Sequence, residues 1–541
     1  MKSRATACVC ALVLAPLTLA ADWPQWGGRD CRNMVSDEKG IPESFDPGRR
    51  KDGSHEIDPA TTKNIKWAAR LGTETYGNPT VSGGKVFVGT NNGAPRDPRL
   101  KGDRSILMCF EEATGKFLWQ LAVSKYAQLR SFNGDFRALG ICSSPAVEGD
   151  RVYLVTNRDD VLCLDVNGLA NGNDGPFTDE GEYIAVATRR KPGKRPPGGK
   201  PDEQPPAPVK PIELAPTDAD IIWRYDMMTE LDAWPQDASS CSVVVHGDLV
   251  YVNPSNGVDL SHKNIPSPQV PTIIALDKKT GKLVATDEEK IAPTVFHGTW
   301  SSPSLAEVSG KKLLLFGAGD GFCYAFDPTP VEVPGKPLKV LKTVWKCDAN
   351  PPEYRTRDGK KLPYNKNAEG PSEITGTVVF ANNKVYTTVG QDTRHGVGKG
   401  CLTCIDATRA PGAGDGSGDI SSTGVLWRYT GISRSMATPS VADGLVFVAD
   451  YVATVHCLDA ETGKPYWTHE TGGRDCMGST FVADGKVWFG NKNGKLTVLA
   501  ASKEKKVLAE INLRTPIHAT PIVANGVLYV ACNNHLYVVE K

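Results

Sequence analysis

A pattern that returns eight times along the chain governs what it can fold into. The plainest copies are TPSVADGLVFVAD (438–450), STFVADGKVWFGN (479–491) and TPIVANGVLYVAC (520–532). Upstream lie NPTVSGGKVFVGT (78–90), SPAVEGDRVYLVT (144–156), SVVVHGDLVYVNP (242–254), TVVFANNKVYTTV (377–389) and a stretched SPSLAEVSGKKLLLFGAGD (302–320). Apolar residues alternate on both arms around a short polar turn, the period-two signature of a β-hairpin. A second half follows each hairpin: a strand ending in an acidic residue, a turn, and a strand that usually carries Trp. CFEEATGKFLW (109–119) and CLDAETGKPYW (457–467) show it whole, and ALDKKTGKLVA (275–285) lacks the Trp. The acidic residue (Glu111, Asp277, Asp459) is placed to accept from turn N–H groups. The Gly of Thr-Gly-Lys supplies the positive φ that a bulged hairpin needs.

Four strands per unit, repeated radially, predict an all-β propeller of four-stranded antiparallel blades. The closest copies are 41 residues apart, and longer spacings are loop insertions. The last copy ends at Lys541 before its fourth strand. NIKWAARLG (64–72), which carries Trp67, is expected to supply that strand and close the ring, since an open sheet edge invites aggregation. The expected organisation is a signal peptide over 1–21, an N-terminal extension over 22–63, and one eight-bladed propeller over 64–541. Trp67, Trp119, Trp223, Trp345, Trp427 and Trp467 share one outer-strand position and are expected to pack between blades. Residues 189–211, with eight Pro and seven Lys or Arg, are expected to be a solvated excursion inside blade 2.

Lys2 and Arg4 precede an apolar run from Ala7 to Leu19 and the small pair Ala20-Ala21, the pattern of a secretory signal peptide. That run is too short to span a bilayer, and no later run reaches about eighteen residues. Lys plus Arg and Asp plus Glu both number 62, so no basic excess points to nucleic acid. The sequence thus suggests an exported, monomeric protein, periplasmic or secreted.

Chemistry is harder to place. Cys109, Cys163, Cys404 and Cys457 occupy one repeat position where blades 3 and 4 have Ala275 and Ala325, so a buried packing role is expected. Cys401 and Cys404 face opposite sides of one strand and do not make a zinc pair. A partial calcium-loop pattern, DVNGLANGNDG (165–175), offers Asp165, Asn167, Asn171, Asn173 and Asp174, but Leu169 interrupts it. Loops entering the innermost strands are expected to share a face with the second-hairpin turns and to converge on the central channel. They carry Arg137, Trp234, Gln236, Asp237, His297, Trp300, Glu373, Arg434, Arg474, Asp475 and His518, the candidate ligand-binding residues at the channel mouth.

The repeated A-x-D-x-x-T-G-x-x-x-W unit behind a signal peptide resembles the pyrroloquinoline-quinone-like (PQQ-like) propeller superfamily over residues 60–541. That superfamily holds the quinoprotein alcohol and glucose dehydrogenases and also the propeller lipoprotein of the outer-membrane β-barrel assembly machinery. WPQWGGRD (23–30) with IDPATTKNIKWAARLG (57–72) is similar to the opening segment of the dehydrogenase branch and of exported propellers with no assigned reaction. The dehydrogenase resemblance implies PQQ lying between a Trp and a disulfide of adjacent cysteines, above Ca²⁺. This chain has no Cys-Cys pair and no C-x-x-C-H haem motif. The favoured expectation is a non-catalytic module that binds a protein, peptide or glycan through its loop face. The alternative is a PQQ-dependent alcohol or sugar dehydrogenase.

Overall fold

The computed structural model describes residues 21–125, 138–185, 210–259, 261–364, 369–392, 399–409 and 418–541. Residues 1–20 of the expected signal peptide, 189–209 of the Pro-rich insertion, and Arg137 lie outside the described residues. Eight sheets, each with four antiparallel strands and two of them with a short fifth strand added in parallel, form the blades of a propeller. Blade 1 runs from inside to outside as Thr80–Ser82, Lys85–Asn91, Arg104–Glu111 and Phe117–Ser124. The other blades follow the same order. In blade 8 the outer strand is Ile65–Arg70, antiparallel to His535–Val539, so the N-terminal strand closes the ring as the sequence suggests.

The hairpin turns follow from their residues. Asp443 and Gly444 both lie at positive φ, as do Asp484 and Gly485, which is what a two-residue turn matching strand twist requires. In the outer hairpins Asp459 Oδ1 accepts from the N–H groups of Glu461 (3.0 Å) and Thr462 (2.9 Å), and Asp277 does the same for Lys279 and Thr280. The Tyr466 hydroxyl on Asp459 and the Thr280 hydroxyl on Asp277, together with these backbone bonds, hold both carboxyls below the usual range against desolvation.

Five of the repeated tryptophans tie their blade to the next. The Trp67, Trp223 and Trp427 rings lie against Gly115, Gly281 and Gly463 of the neighbouring blade's turn, where any Cβ would sit about 2.5 Å from the ring. Their indole N–H groups donate to the carbonyls of Glu112 (2.9 Å), Lys278 (3.0 Å) and Ala460 (3.2 Å). Trp119 and Trp467 make the same bond to Val166 and Ser502. Cys109, Cys163, Cys404 and Cys457 each stand directly across the ladder from one of these tryptophans, where only a small residue fits. They are buried free thiols, and burial pushes the last three up to about 12. Cys401 and Cys404 belong to cores on opposite sides of their strand.

Two features of the ends of the ring depart from the sequence expectation. The second-hairpin turns share a face with the first-hairpin turns: Glu112 N–H donates to Gly84 O, Lys278 to Asp248, and Ala460 to Gly444. An antiparallel meander puts alternate turns at the same end, so the loops entering the inner strands instead meet the loops between the middle strands. Gly89 and Thr90 of blade 1, for example, lie against Ile141 and Gly140.

The segment before the first blade is also more than an extension. It runs around the channel at the end bearing the hairpin turns. Trp23 exchanges two backbone bonds with Val81 of blade 1 (2.9 Å each), and Val147 of blade 2 donates to Pro24. Leu305, Phe380 and Val482 donate to Asp30, Cys31 and Met34, and Val441 donates to Asn33 Oδ1. Asn525 of blade 8 donates to Ala21, and Arg32 reaches Val243 of blade 3. All eight inner edges are therefore engaged by residues 21–34. Inner strands have no ladder partner on the channel side, and this segment satisfies the groups they would otherwise leave open.

Candidate functional site

With one end plugged, the channel becomes a blind cavity of about 480 Å³ that opens on the other face. Its wall begins with a ring. Two residues ahead of each inner strand stand Asn78, Ser144, Ser242, Ser302, Thr377, Thr438, Ser479 and Thr520, and all eight line the cavity. The backbone N–H of one donates to the side-chain oxygen of the next around much of the circle. Ser144 donates to Ser242, Ser242 to Ser302, Thr438 to Ser479 and Ser479 to Thr520 (each 2.9 Å), and Thr377 to Thr438 (3.1 Å). Thr520 donates to Asn78 Oδ1. A hydroxyl that accepts such a bond keeps its own proton to donate elsewhere. Trp26 from the plug forms part of the lining, its indole N–H bonded to Thr377 Oγ1 (3.0 Å).

The upper wall is aromatic and acidic. Tyr76 and His518 stack at 4.4 Å, and Trp300, Met436, Met477, Glu74, Asp237 and Asp392 complete it. Burial pushes the His518 imidazole down to about 4, so the ring is neutral, with Nδ1 buried and without a partner. His535, beneath the N-terminal segment in blade 8, is also held at about 4 by burial.

These two histidines set a pH dependence. Between about 4 and 6.5 the unfolded chain binds protons that the folded one does not, so stability falls as the pH drops through that window. From pH 7 to pH 5 each histidine lowers stability by about 2 kcal/mol. His518→Phe is expected to show a loss smaller by about that amount than the parent in urea melts at the two pH values. Equal losses in both proteins would refute the buried neutral state of His518.

Of the sequence candidates, Asp237, Trp300 and His518 line the cavity. His297 lies fully buried behind Trp300, ring centres 5.2 Å apart. Gln236 is buried beside them: its backbone oxygen accepts the Trp300 indole N–H (2.9 Å) and its Nε2 donates to Asp237 Oδ1 (2.9 Å). Glu373 is buried behind Asp392, accepting from the Asp392 N–H (2.8 Å) and Tyr364 hydroxyl (3.0 Å), and burial pushes it up to about 8. Arg434 lies over the Tyr451 ring and contacts the Asp392 carbonyl (3.4 Å), outside the lining. Asp475 pairs with Lys492 (2.9 Å), Arg474 is exposed, and Trp234 is buried in the loop that Asn256 braces.

The calcium-pattern residues lie in the outer turn of blade 2, at the plugged end. Their groups bond within the turn and its surroundings: Asp165 to Arg151 (2.8 Å), Asn171 to Asp174 (3.0 Å), Asn173 to Glu180 (3.0 Å), and the Asn167 N–H to Asp165 (2.8 Å). Sequence reasoning missed Trp26, Glu74, Tyr76, Asp392 and the whole ring.

Comparison with known proteins agrees with this architecture. The family model described as "Outer membrane protein assembly factor BamB" matches residues 49–168, 353–469 and 417–504, together half of the chain. The solved structure of BamB from Moraxella catarrhalis superposes with a TM-score of 0.51 at 12% identity, covering 88% of this chain and 97% of that one. That likeness is one of fold. The 1-butanol dehydrogenase (cytochrome c) of Thauera butanivorans is 34% identical over 96 residues. The quinohemoprotein alcohol dehydrogenase of Comamonas testosteroni is 31% identical over 101 residues. Each match spans 16% of this chain and only 14% of the relative. Repeat, closure and family match together identify the chain as a member of the PQQ-like β-propeller superfamily.

Proposed function

We propose that this protein is an exported binding module whose blind cavity takes the end of a neutral glycan. The observation that carries the reading is the cavity itself: a ring of hydroxyls at the base, aromatic side chains on the walls and carboxylates near the opening. Sugars present apolar C–H faces that pack on aromatic rings and hydroxyls that donate to carboxylates, and this lining offers both. A cavity closed by a plug admits a chain end rather than a chain passing through. The volume is that of an ordinary small-ligand site. Export is supported by the signal-like segment at 1–21.

The second reading, a PQQ-dependent dehydrogenase, draws on the short matches to dehydrogenases. PQQ carries three carboxylates. The described lining presents Glu74, Asp237 and Asp392 and contains neither Lys nor Arg, and Cys142 has no cysteine beside it. Without a second cysteine those residues do not supply the stacking platform that the resemblance implies, and the carboxylates would meet PQQ only across a cation.

Isothermal titration with neutral oligosaccharides is expected to give saturable binding that Trp300→Ala weakens at least tenfold, a loss of about 1.4 kcal/mol. Oligosaccharides ending in a uronic acid are expected to bind much more weakly. Saturable, Ca²⁺-dependent uptake of PQQ that Trp300→Ala abolishes would overturn the reading in favour of the dehydrogenase.

A further inference from the structure

Ala21, where the plug begins, is held at both of its backbone groups. Its N–H donates to Glu38 Oε1 (3.1 Å), and its carbonyl accepts from the Asn525 N–H (3.1 Å) in the inner hairpin turn of blade 8. Glu38 is 6% exposed, and its second oxygen accepts from the Gly526 N–H of the same turn. Ala21 itself is exposed, so its nitrogen stands at the surface edge of a buried carboxylate.

The neighbourhood is acidic. Asp22 accepts from the Gly83 N–H and from Asn525 Nδ2 (2.9 Å each). Glu112 accepts from the same Asn525 Nδ2 (3.0 Å) and from the Tyr529 hydroxyl (2.9 Å). Burial first, then Glu112, Glu38 and Asp22, push that hydroxyl up, so all three carboxylates act on one ring. Among the described residues, none of the three forms an ion pair with a Lys, Arg or His side chain. A buried carboxylate served only by neutral N–H donors is costly, and a cation at either oxygen would offset that cost.

The sequence before Ala21 offers the cation. Thr18-Leu19-Ala20 puts small residues first and third before the Ala20–Ala21 bond, as signal-peptide cleavage requires, whereas a cut one residue later would put Leu19 in the first place. We propose that export removes residues 1–20 by hydrolysis of the Ala20–Ala21 bond, and that the new α-ammonium is the counter-ion of Glu38, latching the plug to blade 8. Water adds across the C–N bond, catalysed by a peptidase of the export route. Ala20 leaves with the leader as a carboxylate, and the Ala21 nitrogen takes a proton. In the uncut chain that atom is a neutral amide donor. Once charged, its bond to Glu38 is about twice as strong. The cut falls one residue earlier than the sequence expectation. The inference rests on the export part of the proposed function and is independent of what the cavity binds.

Intact mass of the protein exported by a bacterial host is expected to show a chain that begins at Ala21. Its N-terminal amine is then acylated at pH 8, and the labelled N-terminal peptide is followed by mass spectrometry. A neighbouring carboxylate favours the ammonium, which does not acylate. Labelling of the parent is therefore expected to be at least tenfold slower than that of Glu38→Gln, and to accelerate only at higher pH. A chain with one added Gly ahead of Ala21 moves the amine away from Glu38 and is expected to react as fast as Glu38→Gln, with circular dichroism checking both folds. Retention of residues 1–20 would overturn this inference together with the export reading, and a cut at any other bond would overturn this inference alone. Equal labelling rates in the parent and in either folded variant would overturn the pairing with Glu38.

Discussion

Arg32→Met is expected to lower the unfolding free energy by about 3–5 kcal/mol, the scale for leaving several buried partners of a charged group unmatched. The Arg32 guanidinium is fully buried in the plug and donates in four directions. Nε bonds to Pro303 O (3.0 Å), Nη2 to Val243 O (2.7 Å), and Nη1 to Trp26 O (2.6 Å) and Gln25 Oε1 (3.0 Å). Burial pulls the group down to about 10, still charged at neutral pH. Methionine fills much of the space and leaves three carbonyls and one amide oxygen without donors. Arg32→Lys is expected to rescue little, since one ammonium cannot reach acceptors arranged around a planar fork. Urea denaturation decides it: a loss below about 1 kcal/mol would show that the plug is not held by Arg32.

Trp119→Ala is expected to cost about 3–5 kcal/mol, the range for truncating a large buried aromatic. Trp119 is 1% exposed, stands across from Cys109, and ties blade 1 to blade 2 through its bond to Val166. Trp119→Phe keeps most of the buried area but leaves the Val166 carbonyl without its donor. It is expected to cost about 1–3 kcal/mol, nearer the penalty for one lost buried bond. Denaturant midpoints of the two variants measured side by side separate packing from hydrogen bonding. Equal losses would mean that the hydrogen bond, not the ring, joins the blades.

The blades, their number and their closure were legible because each unit repeats a hairpin whose turn residues and alternation are local. The tryptophan position was legible for the same reason. The base of the cavity was in view without its meaning: all eight copies begin with Asn, Ser or Thr, a regularity that becomes a ring only when the sheet closes on itself. Residues 21–36 gave no such signal. Their partners are eight different strands met in turn around an axis, so neither period-two nor helical spacing runs along them. Asp392 escaped because candidates were drawn from loops entering the inner strands, whereas it follows a second strand. The misassigned outer turns had the same root, since facing ends are a property of the assembled meander.

The contacts of residues 21–36 also fix an order of events. This stretch precedes every blade in the chain, yet its bonding sites lie on all eight, the last of them in residues 520–541. Strand Ile65–Arg70 likewise finds its partner only in His535–Val539. The first part of the chain must therefore wait, unpaired, for the last. Contacts of such sequence separation are slow to form and cost the most chain entropy to close. Folding of this ring is consequently complete only once residues 520–541 are in place, and a chain cut short before them keeps its latch and its stopper with nothing to close on.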